Sequence, residues 1–417
     1  MYKRYLDQKL LESIEESPVV LINGARQTGK STLVQTLLKE SHVYYTLDDY
    51  SILSAIQLDP YNFLASQKSP IILDEVQRAP EAFLALKRIV DESRVPGRFV
   101  LTGSANILML PKLADSLAGR MEILTMWPLS SAELYDRPEQ LISELLTGSF
   151  LNFISSAVDD SEYMPDILIG GYPEVVRRST PAKRNSWFKG YIQTLLTRDV
   201  QDISGIERSA QLPILLNILA SRVGGLLNAS ELSRSSQIPL TTLTRYLKIF
   251  EMLYLTVYLQ PWHSNIGKRF VKSPKLYISD VGLISFLLGM NEEHIAQRPD
   301  LWGHMFENFI VMEFIKHQTW SDVPFQIYHY RTENNEEIDL ILETDQGDLL
   351  AIEIKSSKTI DGRSLKAIKN LQAAMPHKII KGFVIYTGDK VIPLSQNIWA
   401  LPLSYFMQRR VNSHKGT

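Results

Sequence analysis

The chain has 417 residues, enough for two to three domains, because single hydrophobic cores rarely grow past roughly 250–300 residues. Its 45% hydrophobic content lets each domain bury a core, and its formal net charge of −2 confines any DNA contact to a local basic patch. The absence of cysteine excludes disulfides, thiolate metal sites and cysteine nucleophiles together. No apolar run approaches the ~20 residues that span a bilayer, and the N-terminal MYKRYLDQKL lacks the apolar centre of a signal peptide. A cytoplasmic protein with no membrane partner is expected.

The first motif in the chain is the most specific. The apolar run VVLIN is followed by GARQTGKS at 24–31 and then by the apolar TLVQTLL, so a full G-x-x-x-x-G-K-[ST] match sits between a strand-like and a helix-like segment. Gly24 and Gly29 supply turn conformations closed to residues with side chains, which aims the backbone N–H groups of Ala25, Arg26, Gln27 and Thr28 at phosphate oxygens. Lys30 adds a charge between the β- and γ-phosphates, Ser31 offers its hydroxyl to Mg²⁺, and Thr32 completes the expected ATP-binding loop.

Strand-like runs recur at 18–22, 43–47, 70–74, 98–103 and 121–125, alternating with amphipathic stretches, the signature of a parallel sheet covered by helices. The third ends in Asp74-Glu75, placing Asp74 to hold Mg²⁺ and Glu75 to act on the attacking water. The fourth ends in Gly103-Ser104-Ala105-Asn106, where Ser104 or Asn106 suits a polar sensor of the γ-phosphate. Arg120, in Leu117-Ala-Gly119-Arg120, reads either as an arginine finger, on its own nucleotide or a neighbour's in a homo-oligomer, or as a surface helix cap.

GARQTGKSTL, LDEVQ, LTGSAN and LAGR followed by Pro128-Leu-Ser resemble the ATPase half of a prokaryotic AAA-type family, whose members carry a C-terminal domain of unknown function with a nuclease-like fold. The likeness continues through YIQTLLTRD (191–199) and SDVGL (279–283). It implies an α/β P-loop NTPase core over 1–135 and an α/β restriction-endonuclease-like domain over 266–417, and the residue pattern between them reads as a helical segment over 136–205 and a winged helix over 206–265. Within the helical segment, Gly170-Gly171-Tyr172-Pro173 breaks any helix and reads as a structural turn or as an element approaching the nucleotide. Arg198-Asp199 reads as an interdomain clamp or a helix-end ion pair. In the winged-helix segment, Leu243, Leu247 and Phe250 fall on one helical face after Pro239, Ala229 to Leu232 begins the preceding helix, and LYLTVYLQP supplies the β wing. Arg245 and Lys248 would meet phosphates if this module binds DNA rather than packing as a lid.

A second constellation follows. Glu307 lies on an amphipathic stretch with Phe306, Phe309, Ile310 and Phe314, Asp339 lies in the strand-like IDLILE, and Glu353 and Lys355 share one face of the next strand across a turn at 346–348. The pattern resembles the PD-(D/E)xK nuclease superfamily, with Ile338 where its eponymous Pro often stands. The resemblance implies Mg²⁺ on Asp339 and Glu353, support from Glu307, and Lys355 orienting a hydroxide. Arg331 and Lys358 read as phosphate-neutralising groups or as plain surface residues. Two functions are therefore expected to compete: an ATPase whose nucleotide state drives nucleic-acid cleavage, and an ATP-dependent switch in which the nuclease-like domain is a non-cleaving scaffold.

Overall fold

The computed structural model describes residues 2–106, 117–136, 140–153, 163–201, 210–265, 267, 269 and 273–407. The frayed tail expected at Asn412–Thr417 lies outside them.

The strand-like runs at the N-terminal end form β1 (Val19–Asn23), β2 (Val43–Thr46), β3 (Ile71–Asp74), β4 (Phe99–Gly103) and β5 (Met121–Thr125). All pair in parallel, in the order β2-β3-β4-β1-β5. β1 is buried along its whole length because helices cover both faces: Val19 and Leu21 enter one core and Val20 and Ile22 the other, as a period of two requires. With β4 between β1 and β3, the loops leaving these three strands emerge side by side, which brings segments some fifty residues apart to one edge of the sheet.

From 141 the chain is helical, with helices at Leu141–Thr147, Met164–Ile169, Pro173–Val176 and Pro181–Thr194, the last continuing into a π-helical turn over Leu195–Asp199. The glycine break is tertiary in origin. Gly170 has φ 77°, and a Cβ on Gly171 would lie 2.2 Å from the Leu129 carbonyl oxygen. Buried Asp280 accepts the Gly171 N–H at 2.7 Å, so this turn is seated between the end of the AAA-like unit and the SDVGL segment.

Helices Gln211–Ala220, Ala229–Ser236 and Leu240–Met252 come next, and Leu243, Leu247 and Phe250 are buried as their spacing requires. The wing departs from expectation. β6 (Thr256–Leu259) pairs antiparallel with β7 (Lys275–Ile278), so a boundary at 265/266 would cut the hairpin in two. Local periodicity marks strands, but it carries no information on which strand reaches back across an intervening loop.

The C-terminal unit places the helix Pro299–Gln318 against a six-stranded mixed sheet of β8 (Phe325–Arg331), β9 (Glu337–Thr344), β10 (Leu349–Lys355), β11 (Ile380–Tyr386), β12 (Ile392–Ser395) and β13 (Ile398–Pro402). β9 and β10 form the expected antiparallel hairpin, with Gly347 at φ 86° in its turn. The unit is tied to the N-terminal one through buried Glu313, which accepts from the Ser131 N–H at 2.8 Å and the Ser131 hydroxyl at 2.6 Å, and from Lys316 at 2.9 Å. Among the described residues no helix is long and apolar enough to cross a membrane.

Candidate functional site

The loop between β1 and the helix Lys30–Leu38 is shaped by steric exclusion. Gly24 has φ 143°, and a Cβ there would lie 2.1 Å from the Met126 carbonyl oxygen, so only glycine lets β5's exit pass this close. Gln27 at φ 67° and Gly29 at φ 100° turn the chain so that the helix begins at Lys30. The loop is braced from outside by buried Arg4, which donates to the Thr28 carbonyl at 2.8 Å, the Trp127 carbonyl at 2.7 Å and the Glu133 carboxylate at 2.7 Å.

Lys30 is 5% exposed, and its ammonium donates to the Gly24 and Ala25 carbonyls at 2.9 and 2.8 Å. Burial pulls its pKa down to about 8, against the attraction of Glu75 and Asp74. The sign of the consequence follows from linkage. The unfolded value near 10.5 exceeds the folded one, so the destabilising effect of burying this ammonium is fully present below pH 8 and fades as pH rises towards 10.5. Anionic phosphates would restore the charge. At pH 8 nucleotide binding is expected to take up about half a proton, and at pH 7 about a tenth of one. Calorimetry in buffers of different ionisation enthalpy checks this, and no buffer dependence at pH 8 would refute it.

Asp74 is 5% exposed at the end of β3 and collects three hydroxyls. Ser31 donates to its Oδ1 at 2.9 Å and Tyr44 to its Oδ2 at 2.6 Å, and Thr102 shares Oδ1. Burial and the bond to Asp74 push the Tyr44 phenol up to about 12, so it remains a donor. Glu75 follows at φ 59°, a conformation that turns its side chain off the strand, and its Oε1 accepts from the Ser104 hydroxyl at 2.9 Å. Lys30, Ser31, Asp74, Glu75 and Ser104 thus line one cleft of about 390 Å³, within the range of small-molecule sites. A hydroxyl beside a carboxylate is an all-oxygen donor pair that fits Mg²⁺, and the glycine-opened loop over a buried lysine fits a polyphosphate.

The structure does not bring all expected residues to this cleft. Asn106 does not line it, and its N–H donates to the Met252 carbonyl at 2.8 Å. Arg120 precedes β5, whose first residue pairs with Val19 at the opposite end of β1, roughly 13 Å of strand from the loop. Both sides of its guanidinium bond Asp91, at 2.5 and 3.1 Å, so a finger role on its own nucleotide is corrected by the geometry. Arg4, Arg26 and Arg177 line the cleft, the last together with Pro173 and Glu174 of the glycine-break element. Arg26, in the loop itself, pairs with Asp199 at 2.6 Å, and the Tyr191 hydroxyl donates to the Arg26 carbonyl at 3.4 Å. Asp199 belongs to the π-helical turn, where the wider helix aims it at the loop.

The second constellation also converges, with an unexpected member. Glu307, Asp339, Glu353 and Lys355 lie together, but the ammonium of Lys275 from β7 stands among the carboxylates. It is 2.9 Å from Glu307, 3.3 Å from Asp339 and 2.6 Å from Glu337, and Lys355 pairs with Glu353 at 2.7 Å. Burial, then the charge of Asp339, lifts the Glu307 carboxyl to about 7 and that of Glu353 to about 8. Among the described residues no group of three or more His, Asp or Glu side chains is arranged to hold a metal ion. The Mg²⁺ expected on Asp339 and Glu353 would have to share the cluster with the Lys275 ammonium, 3.3 Å from Asp339. Lys275 carried no signal in the sequence, since it lies 64 residues from Asp339. Glu337, two residues before Asp339 and on the same strand face, was findable by alternation.

Residues 16–135 match the family described as AAA domain, 161–294 a domain of unknown function (DUF8612) and 302–406 a domain of unknown function (DUF4143). An uncharacterised protein of Mycobacterium tuberculosis is 31% identical over 397 residues, covering 94% of this chain and 82% of that protein. The chain belongs to its family. A Haemophilus influenzae member, also uncharacterised, is 25% identical, covering 76% of this chain and 79% of that protein. Among solved structures, the Walker-type ATPase of Pyrococcus abyssi is similar at 17% identity and TM-score 0.45, covering 69% of this chain and 96% of that one. The Holliday junction branch migration motor of Thermotoga maritima is similar at 16% identity and TM-score 0.30, covering 61% of this chain and 89% of that one. The N-terminal unit of this family member is an AAA-type ATPase domain on an α/β fold with a parallel five-stranded sheet.

Proposed function

We propose that the chain binds ATP with Mg²⁺, hydrolyses it, and passes the state of the nucleotide to the helical unit over the cleft, acting as an ATP-dependent switch. The observation that carries this reading is the Arg26–Asp199 pair, which joins the phosphate-binding loop to the π-helical turn. In this reading the loop N–H groups and Lys30 hold the phosphates, Ser31 and Asp74 orient the metal, and Glu75, positioned by Ser104, orders and deprotonates water. Held by Ser31 and Asp74, Mg²⁺ would supply charge neutralisation for the phosphates. Arg177 approaches the phosphates from the helical unit, so closure of that unit and completion of the site are one event.

A double-mutant cycle tests the link. Arg26→Ala and Asp199→Ala each weaken ATP-dependent turnover, and together they cost less than the sum, with a coupling of about 1 kcal/mol. Full additivity, measured as kcat/KM for ATP, would remove the pair from the route.

Action on nucleic acid is a second reading. It is supported by Arg245 and Lys248, exposed on the second helix of the helix–turn–helix pair ahead of the β6–β7 wing. Salt-sensitive binding of a short duplex, lost in Arg245→Glu with Lys248→Glu, is its expected signature in fluorescence anisotropy. A homo-oligomer in which Arg120 leaves Asp91 to reach a neighbour's nucleotide is a proposal beside it, whereas cleavage by the C-terminal unit is opposed by the Lys275 ammonium standing among its carboxylates. Binding that persists in the double variant would point to another surface.

A further inference from the structure

The second constellation is built around a lysine from a different part of the chain. Lys275 opens β7, where its backbone is held on both sides, by pairing with Leu259 of β6 and by a bridge to Leu226. Its side chain is 3% exposed, and its ammonium reaches Glu337, Glu307 and Asp339 at 2.6, 2.9 and 3.3 Å. An ammonium has three donors and no acceptor, so these three carboxylates satisfy it. Burial works against its charge, and the surrounding Tyr277, Asp339, Glu307 and Glu337 outweigh it and hold the pKa well above the usual lysine value.

Two further donors reach these carboxylates, one of them on the Glu307 oxygen that Lys275 already meets. Tyr277 donates its hydroxyl to Glu307 at 2.7 Å, and the Ile354 N–H donates to the second oxygen of Asp339 at 2.9 Å. Gly224, at φ 78°, closes against the cluster so tightly that a Cβ there would lie 3.2 Å from Glu307 Oε2 and 3.1 Å from His304. Mg²⁺ needs near-octahedral oxygen ligands at about 2.1 Å, several of them water. Here both Asp339 oxygens and one oxygen of Glu307 already accept from donors, and the Lys275 ammonium stands among the carboxylates where a cation would sit.

We propose that Lys275 is the resident cation of this cluster. The C-terminal unit then carries no divalent metal and cleaves no phosphodiester bond, and its carboxylates serve as the socket that locks the β6–β7 hairpin to the β9–β10 sheet. This inference concerns a site apart from the nucleotide cleft and stands whether or not ATP is hydrolysed there.

The test is a Mn²⁺ titration of the nucleotide-free, full-length protein, followed by electron paramagnetic resonance of the free ion and by melting temperature. Wild type and Asp339→Asn are expected to show the same Mn²⁺ response. Lys275→Ala is expected to melt several degrees lower, to gain one saturable Mn²⁺ site, and to recover stability on binding it. Adding Asp339→Asn to that variant should abolish the gain. A wild-type Mn²⁺ site that Asp339→Asn removes would overturn the proposal, as would a folded Lys275→Ala protein that gains none. If Lys275→Ala fails to fold, the first pair decides alone, because equal responses uphold a metal-free cluster and a site lost in Asp339→Asn refutes it.

Discussion

Lys30→Ala is expected to lower ATP turnover by at least ~10²-fold, the scale on which removing one preorganised charge from a transition state acts. The lysine is buried beneath the loop, with its ammonium already aimed at the carbonyls of Gly24 and Ala25. Phosphate oxygens brought into the loop would replace those carbonyls as partners of an ammonium that the fold already holds at the loop, which makes the group preorganised. Alanine removes the charge and leaves both carbonyls without this donor. Phosphate release by the purified variant, with circular dichroism to confirm that the loop change has not unfolded the domain, measures the effect. Turnover within threefold of wild type would show that this loop is not where ATP reacts.

Glu75→Gln is expected to separate binding from chemistry. The amide is isosteric with the carboxylate and can still meet the Ser104 hydroxyl, which sits 2.9 Å from Oε1, so the cleft keeps its shape and its nucleotide affinity. What it loses is a base. General-base contributions of roughly 10²–10⁴-fold set the expected fall in kcat, with KM unchanged or lower. Retained ATP after gel filtration, beside a wild type that releases ADP, is the accompanying observation. Ser104→Ala should reproduce a smaller part of the same defect, because it removes the group that orients Glu75 and leaves the carboxylate in place. Equal turnover in wild type and Glu75→Gln would pass the base role to another residue.

Much of the nucleotide cleft was legible because its signals are local. The loop from Gly24 to Ser31 needs φ values that glycine supplies, and those glycines sit a fixed number of residues from the lysine they expose. Asp74 and Glu75 end a four-residue apolar strand, and Ser104 ends another, so placing the strands places the side chains. The helix bearing Glu307 and the hairpin bearing Asp339 and Glu353 were legible for the same reason.

Arg4, Arg177 and Lys275 were not legible. Arg4 joins Glu133 across 129 positions, and Arg26 joins Asp199 across 173. An arginine at the chain's start and one after a glycine break look like surface residues until the fold carries them to the cleft. Arg120 misled for the complementary reason: its spacing after β4 suits a finger, but the parallel pairing of β5 with β1 puts it at the far edge of the sheet.

By itself the sequence determined the strands of the first sheet, the loop that follows β1, and the identity of the groups that end β3 and β4, because backbone geometry and side-chain alternation act over a few residues. Only the tertiary structure decided which charge meets which: that Asp199 reaches Arg26, and that Lys275 stands among Glu307, Glu337 and Asp339. Electrostatic pairing depends on distance through space, and the spacing of residues along the chain does not encode that distance.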